Sequence, residues 1–271
     1  MVKRIACFIT CGYTEAGAMQ AFLRKINDKF EYKQYLPNRT VKRKGDSKSI
    51  SSNISGLTGD ALLEKIYEII AKNVHEISNC AGIIIEDDLD GRFQGWSQAK
   101  IQTYEEEVRA RINEILQVEI PVFFIYASPE VESWFIADWD NGFKYLYCFS
   151  GVVTDLGNNE KLFWEHHLHY YIEKFILKEY GNRIEEYGVF DGRYYKLSDE
   201  LINAIQIHVK EYIGTLRNVN RECVKKITES RDLYYSKKLH GQVMLNKIEP
   251  SKVATICNRY FSKAYHALSS L

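Results

Sequence analysis

Acidic residues follow three short apolar segments in the first half of this 271-residue chain. Glu15 comes after the first segment, the acidic run 86–90 after the second, and Glu130 and Glu132 after the third. Carboxylates that are buried close together repel one another, so such a set needs a cation to compensate. Hard oxygen ligands favour Mg²⁺ or Mn²⁺ over zinc. The acids therefore predict a divalent-metal site that could position water for attack on a phosphate.

Each acidic cluster also has an ordinary structural explanation. A glutamate in the first turn of a helix is stabilised by the helix dipole. An aspartate-rich turn after a strand is equally common. Three clusters after three predicted strands favour a functional site over three separate coincidences.

The elements that would position these acids alternate between strand and helix. Short apolar runs predict strands over Arg4–Thr10, Phe30–Leu36, Ala81–Ile85 and Pro121–Ala127, the second of them nearer the sheet edge. Helical spacing of apolar residues predicts helices over Glu15–Lys29, Asp60–Ile77 and Trp96–Leu116. This order predicts an α/β fold with a mainly parallel four-stranded sheet flanked by helices. Ligands bind outside the carboxyl ends of the strands in such sheets, which is where the acids fall.

The pattern changes after about residue 140. Helices are predicted over Lys161–Tyr180, Ser198–Gly214 and Ser251–Leu268, with many aromatic residues that we interpret as core. We therefore expect an α/β catalytic domain over 1–140 and a mostly helical, aromatic-rich region over 141–271.

Composition limits the classes of function. The 36 basic and 36 acidic residues balance, so any nucleic-acid surface must be local. No apolar run approaches the length of a membrane span or a signal peptide core. The six cysteines form no C-x-x-C pair, which argues against a zinc site or a disulfide framework. A cytoplasmic protein with no membrane association is expected.

Three short motifs resemble a known family. Gly12–Glu15 (Gly-Tyr-Thr-Glu) resembles its Glu-Gly-x-Thr-Glu signature, and Glu132–Asp138 is similar to its Glu-x-Trp-x-x-x-Asp block. Tyr235–Gly241 is similar to its Tyr-x-Lys-x-x-His-Gly block. Together with an acidic Asp-x-Asp after the third strand, these motifs look like a Toprim-like nuclease family. That family is related to the Toprim domains of topoisomerases, primases and OLD-family nucleases, and is often encoded beside an ATPase in phage-defence loci.

The resemblance implies roles for individual residues. It implies catalytic roles for Glu15, Asp88, Asp90 and Lys237, and metal ligation by Glu15, Asp88, Asp90 and Glu132. Supporting roles are implied for Asp87, Glu130, Asp138 and His240. The register between Asp87 and Asp88 is left open, and a helix cap or salt bridge would explain Asp138 equally well. Mg²⁺ or Mn²⁺ is the implied cofactor, and an ABC- or SMC-like ATPase is the implied partner.

Two further polar clusters have residue types that could bind a ligand. The basic loop 39–48 would contact phosphates through Arg39, Lys42, Arg43 and Lys44, although a solvated loop is the commoner outcome. His166, His167 and His169 do not converge on a predicted helix, so we favour core or surface histidines over a metal site.

Three functions remain open at this stage. The leading hypothesis is a Mg²⁺-dependent nuclease acting on DNA or tRNA, the toxic effector of an ATPase-coupled antiphage system. The rival is a non-catalytic, partner-binding subunit of an ATPase complex, motivated by Cys11 where the family has the first glutamate of its signature. The third is a phosphotransfer fold in which Asp88 is a nucleophile. The oligomeric state is open, with a homo-oligomer as one option.

Overall fold

The computed structural model describes residues 2–10, 12, 14–37, 56–143, 183–190, 193–203 and 235–271. Cys11, the basic loop 39–48, the three histidines 166, 167 and 169, the predicted helix Lys161–Tyr180 and most of the predicted helix Ser198–Gly214 lie outside these residues.

A four-stranded parallel sheet forms the centre of the N-terminal part. The strands are β1 (Lys3–Phe8), β2 (Phe30–Leu36), β3 (Gly82–Asp88) and β4 (Val122–Ala127), in the order β2-β1-β3-β4. All three strand pairs are parallel. The predicted α/β fold is therefore confirmed, as is the edge position of β2.

Helices cover both faces of this sheet. The N-terminal part contributes α1 (Glu15–Ile26), α2 (Gly59–Lys72), α3 (Val74–Ile77), α4 (Gln98–Leu116) and α5 (Glu132–Ala137). Successive strand residues point to opposite faces. Ile5 and Ile84 accordingly pack with α1, whereas Ala6 and Ile85 pack with α2 and α4. Buried apolar residues on both faces explain the continuous apolar runs of β1 and β3.

The described C-terminal residues form a series of short elements. They are a 3₁₀ turn (Ile184–Glu186), the strand pair β5 (Val189–Phe190) and β6 (Arg193–Tyr194), a helix α6 (197–203), a π-helical turn (Lys237–Gly241), α7 (Gln242–Lys247), α8 (Pro250–Ile256) and α9 (Phe261–Ser269). Trp134 stacks on Phe22 of α1 at a centroid distance of 5.3 Å and lies 4.8 Å from Phe261 of α9. Asn27 Nδ2 donates to the Leu268 carbonyl at 3.0 Å. The described C-terminal helices thus share one hydrophobic cluster with the α1 face of the sheet.

Three predicted boundaries were wrong. The predicted helix Asp60–Ile77 is interrupted at Asn73, and the predicted helix Ser251–Leu268 is two helices separated by residues 257–260. The third strand continues beyond Ile85 to Asp88, so part of the acidic run belongs to the strand itself. Apolar spacing could not reveal this, because acids in a strand look like the start of a turn.

Candidate functional site

The end of β3 directs its acids to two different faces of the sheet. Glu86 and Asp88 alternate with Asp87, and all three are buried, with 0%, 8% and 4% exposure. Ile84 belongs to the cluster on the α1 face, so Glu86 and Asp88 share that face with it. Asp87 points towards α2 and its side chain contacts Gly59 and Arg92.

Thr10 fixes the position of the two acids on the α1 face. Its backbone N–H donates to Glu86 Oε2 at 2.9 Å. Its hydroxyl donates to the Glu86 carbonyl at 3.2 Å and accepts from the Asp88 N–H at 3.2 Å. Thr10 follows β1, so these bonds join the carboxyl ends of β1 and β3.

Glu15 brings a third carboxylate to the same place from the first residue of α1. Its side chain is 2% exposed. The preceding turn approaches closely, since a Cβ on Gly12 would lie 2.1 Å from Glu15 Oε2. A glycine is therefore required at position 12 for Glu15 to hold this conformation.

The three carboxylates disturb one another's ionisation. Burial raises the pKa of Glu15 to about 7, and repulsion from Glu132 adds to this effect. Burial followed by repulsion from Glu15 also holds the pKa values of Glu86 and Asp88 well above their ordinary range. Repulsion between buried acids is the condition in which a bound cation is most stabilising.

Several polar atoms of this cluster lack hydrogen-bond partners within the described part of the chain. They are Glu86 Oε1, Asp88 Oδ1 and the Thr14 hydroxyl. Buried polar atoms are normally satisfied, so unpaired carboxylate oxygens are consistent with a ligand. No group of three or more His, Cys, Asp and Glu side chains among the described residues is arranged to hold a metal as it stands. The oxygen chemistry fits a divalent cation, and the carboxylates would have to draw together around it.

Lys237 provides positive charge beside this set. Its Nζ lies 2.9 Å from Glu130 Oε1 and 3.3 Å from Glu132 Oε2. Burial by itself would lower the pKa of Lys237, but Glu132, Glu130 and Asp88 outweigh burial and raise it. The lysine is therefore a charged ammonium at neutral pH.

Glu130 and Glu132 differ in how well they are satisfied. Glu130 also accepts from Ser198 N–H at 2.9 Å and from Ser198 Oγ at 3.2 Å. Although burial opposes it, Lys237 and these hydrogen bonds hold the pKa of Glu130 below its ordinary value. Burial raises the pKa of Glu132 despite Lys237 and a hydrogen bond from the Tyr235 hydroxyl. Glu132 therefore belongs with the under-compensated acids.

Asp87 is a structural acid. It pairs with Arg92 Nη2 and accepts from the Gly59 N–H at 3.2 Å, which anchors the start of α2. Burial raises its pKa in spite of Arg92. Asp88 therefore lies on the same face as Glu15, whereas Asp87 lies on the opposite face.

Asp90, Asp138 and His240 lie outside the central carboxylates. Asp90 adopts a left-handed conformation with φ 47° after β3 and is only partly buried. Burial followed by repulsion from Glu130 raises its pKa, so it borders the Glu130 side of the site. Asp138 accepts from the Glu249 N–H at 2.7 Å and pairs with Lys252, which fixes the start of α8. His240 Nδ1 accepts from the Ser236 N–H at 3.0 Å, which closes the π turn.

No family model, curated protein or solved structure matches this chain. The Toprim-like resemblance therefore continues to depend on the three motifs and the Asp-x-Asp sequence. Among the described residues, none of the helices has the length and apolar character needed to cross a membrane.

Sequence reasoning missed Glu86 as a site residue. Its position two residues before Asp88 would have indicated a shared face, had the strand been extended through the acids. The proposed phosphate-contacting residues Arg39, Lys42, Arg43 and Lys44 lie outside the described residues.

Proposed function

We propose that this protein is a Mg²⁺- or Mn²⁺-dependent phosphodiesterase whose centre is formed by Glu15, Glu86 and Asp88. The observation that carries the proposal is the burial of three mutually repelling carboxylates at the carboxyl ends of β1 and β3. Glu86 and Asp88 each have an oxygen without a hydrogen-bond partner in the described part of the chain. Such a cluster is costly to keep in a fold unless it serves a cation.

The chain's own residues have distinct roles in this proposal. Glu15, Glu86 and Asp88 would supply the ligand oxygens, with Glu132 as a further acid at their edge. Thr10 orients Glu86 and Asp88 from the end of β1. The metal, when bound, would supply the positive charge that a phosphoryl transition state requires.

Lys237 supports a phosphate substrate in particular. Its side chain remains 33% exposed while its ammonium reaches Glu130 and Glu132. An ammonium between buried acids and solvent can neutralise an anionic phosphate that approaches the site.

The macromolecular context rests on the motif resemblance. We propose nucleic acid, DNA or tRNA, as the substrate, and an ABC- or SMC-like ATPase as the partner that controls a toxic effector of antiphage defence. The cytoplasm is the compartment that such a role requires.

The test is cleavage of DNA and tRNA by the purified full-length protein with Mg²⁺ or Mn²⁺, comparing wild type with Asp88→Asn and Glu86→Gln. Glu114→Gln is the matched control, because Glu114 is an exposed acid that pairs with Arg111 on α4. We expect cleavage by wild type and the control and loss in both site variants. Cleavage that persists in the site variants would refute the assignment.

A partner-binding subunit without catalysis is the second candidate. It is favoured by the ion pairs of Lys237, which already satisfy Glu130 and partly satisfy Glu132 as a structural network would. Under this alternative, the protein binds neither Mg²⁺ nor Mn²⁺ at millimolar concentration but still associates with its ATPase. Trapping of a phosphate analogue on Asp88 would instead reveal a nucleophilic aspartate.

A further inference from the structure

Lys237 is shared by several acids of the site. Its Nζ contacts Glu130 and Glu132 directly, and its charge also stabilises the ionised forms of Glu15 and Asp88. Lys237 is therefore an internal counter-charge at the edge of the proposed metal centre, where Glu132 lies.

The backbone around Lys237 is firmly held against the site. The neighbouring Tyr235 is buried, and its hydroxyl donates to Glu132. At the other end of the π turn, a Cβ on Gly241 would lie 2.2 Å from Thr14 Oγ1, so the turn is pressed against the residue before Glu15. The lysine side chain, in contrast, is long and 33% exposed, so its ammonium can move while its backbone stays fixed.

We propose that Lys237 competes with the divalent metal for Glu132 and the carboxylates beside it, and that metal entry displaces its ammonium from Glu132 towards solvent and the substrate phosphate. This inference rests on the proposed metal-dependent function. It makes Lys237 a counter-ion in the metal-free protein and a phosphate-contacting residue in the metal-bound protein.

Electrostatics gives the direction of the effect. An ammonium and a divalent cation within a few ångströms repel each other strongly in a partly buried site. Glu130 can retain the lysine after displacement, because Ser198 holds this glutamate in place through two hydrogen bonds. Removal of the Lys237 ammonium should therefore strengthen metal binding and weaken turnover. Removal of a metal-ligating carboxylate should weaken both.

The experiment is Mn²⁺ titration by calorimetry on the full-length protein at about pH 8, well above the ordinary carboxyl range. Lys237→Gln is compared with wild type and with Lys252→Gln, a control lysine that pairs with Asp138 away from the carboxylates. We expect Lys237→Gln to bind Mn²⁺ about tenfold more tightly or better, with cleavage lost. Lys252→Gln should match wild type in both measurements.

The outcomes separate this inference from the proposed function. If wild type binds Mn²⁺ and Lys237→Gln binds equally or more weakly, the competition is refuted and the metal-dependent function stands. If wild type and Lys237→Gln both fail to bind, the proposed function itself fails.

A second pair of variants covers the case in which Lys237→Gln does not fold. The double variant Glu130→Gln, Lys237→Gln removes one of the two acids that lose their ion pair with Lys237, and Glu130→Gln is its reference. Tighter Mn²⁺ binding by the double variant than by its reference supports competition, and equal or weaker binding overturns it.

Discussion

Consecutive acids at the end of β3 have opposite surroundings on the two faces of the sheet. On the α2 face, Asp87 has a guanidinium partner in Arg92 and a backbone donor in Gly59. On the α1 face, Glu86 and Asp88 meet another acid, Glu15, and each retains an oxygen without a hydrogen-bond partner among the described residues. Burial is similar on the two sides, so burial alone does not distinguish a structural acid from a functional one.

Structural and functional acids differ in whether a neighbouring group compensates their charge. A buried acid with a partner holds elements together, and its removal leaves the partner unpaired. A buried acid that faces other acids opposes folding, and its removal relieves repulsion. Substitutions on the two faces should therefore have opposite effects on stability and activity.

The largest expected effect is on catalysis, through Asp88→Asn. Cleavage should fall at least about a hundredfold, since a charge-stabilising group in the site is lost. The free energy of unfolding without metal should stay the same or increase, because one of the repelling charges is gone. Nuclease assays and urea denaturation measure the two quantities. A variant that is inactive because it is markedly less stable would contradict the comparison.

Asp87→Asn should have the opposite profile. We expect a loss of about 3 kcal/mol in the free energy of unfolding, because Arg92 loses its charged partner. Mn²⁺ affinity of the folded protein should change less than about threefold, since Asp87 faces away from Glu15. Urea denaturation and calorimetry test this. If Asp87→Asn kept the stability of wild type but lost metal binding, Asp87 would belong to the metal site. The two faces would then not differ in function.

The sequence predicted the types and order of the sheet elements and the position of two of the site's acids. Buried parallel strands such as β3 have continuous apolar runs, and α2 has a regular apolar stripe, so their types and order could be predicted. Glu15 and Asp88 could be placed near each other because carboxyl ends of parallel strands lie on one edge.

The remaining features depend on contacts distant in sequence. The assignment of Asp87 to a structural role needs Arg92 and Gly59, and the latter is 28 residues away. The role of Asp138 depends on Glu249, which is 111 residues away. Glu86 was missed because strand length cannot be determined from apolar residues when a strand ends in acids.

The pH dependence of the free energy of unfolding tests whether folding raises the pKa of Glu15 on the α1 face. The pKa of Glu15 rises from an ordinary 4.5 to about 7 on folding, so the folded state binds more protons between these values. Its contribution to stability is complete below about pH 4.5 and is lost as the pH rises through 7. We expect wild type without metal to lose roughly 2 kcal/mol more than Glu15→Gln over this interval.

Comparison with Glu15→Gln removes the contribution of acids remote from Glu15, such as Glu185, whose pKa burial raises to about 7. Urea denaturation at several pH values, without metal, measures the difference. Identical pH profiles for wild type and Glu15→Gln would show that folding does not raise the pKa of Glu15.

The smallest expected effect comes from Tyr235→Phe. It removes the hydroxyl that donates to Glu132 and should cost about 1 kcal/mol of stability and reduce turnover several-fold. Tyr32→Phe is the matched control, since the Tyr32 hydroxyl donates to the Asn27 carbonyl at 2.7 Å, in a contact that involves none of the site's carboxylates. If both variants lower turnover equally, Tyr235 does not act through the site.

The most direct test of the central claim is Mn²⁺ binding by wild type and Glu86→Gln, followed by electron paramagnetic resonance of free Mn²⁺. Glu86 is the informative residue, because its role follows from the α1 face of β3 and was not among the acids chosen from the sequence. We predict one bound Mn²⁺ in wild type and in Glu114→Gln, and its loss in Glu86→Gln. Equal binding in Glu86→Gln and wild type, or no binding in wild type, would contradict the account.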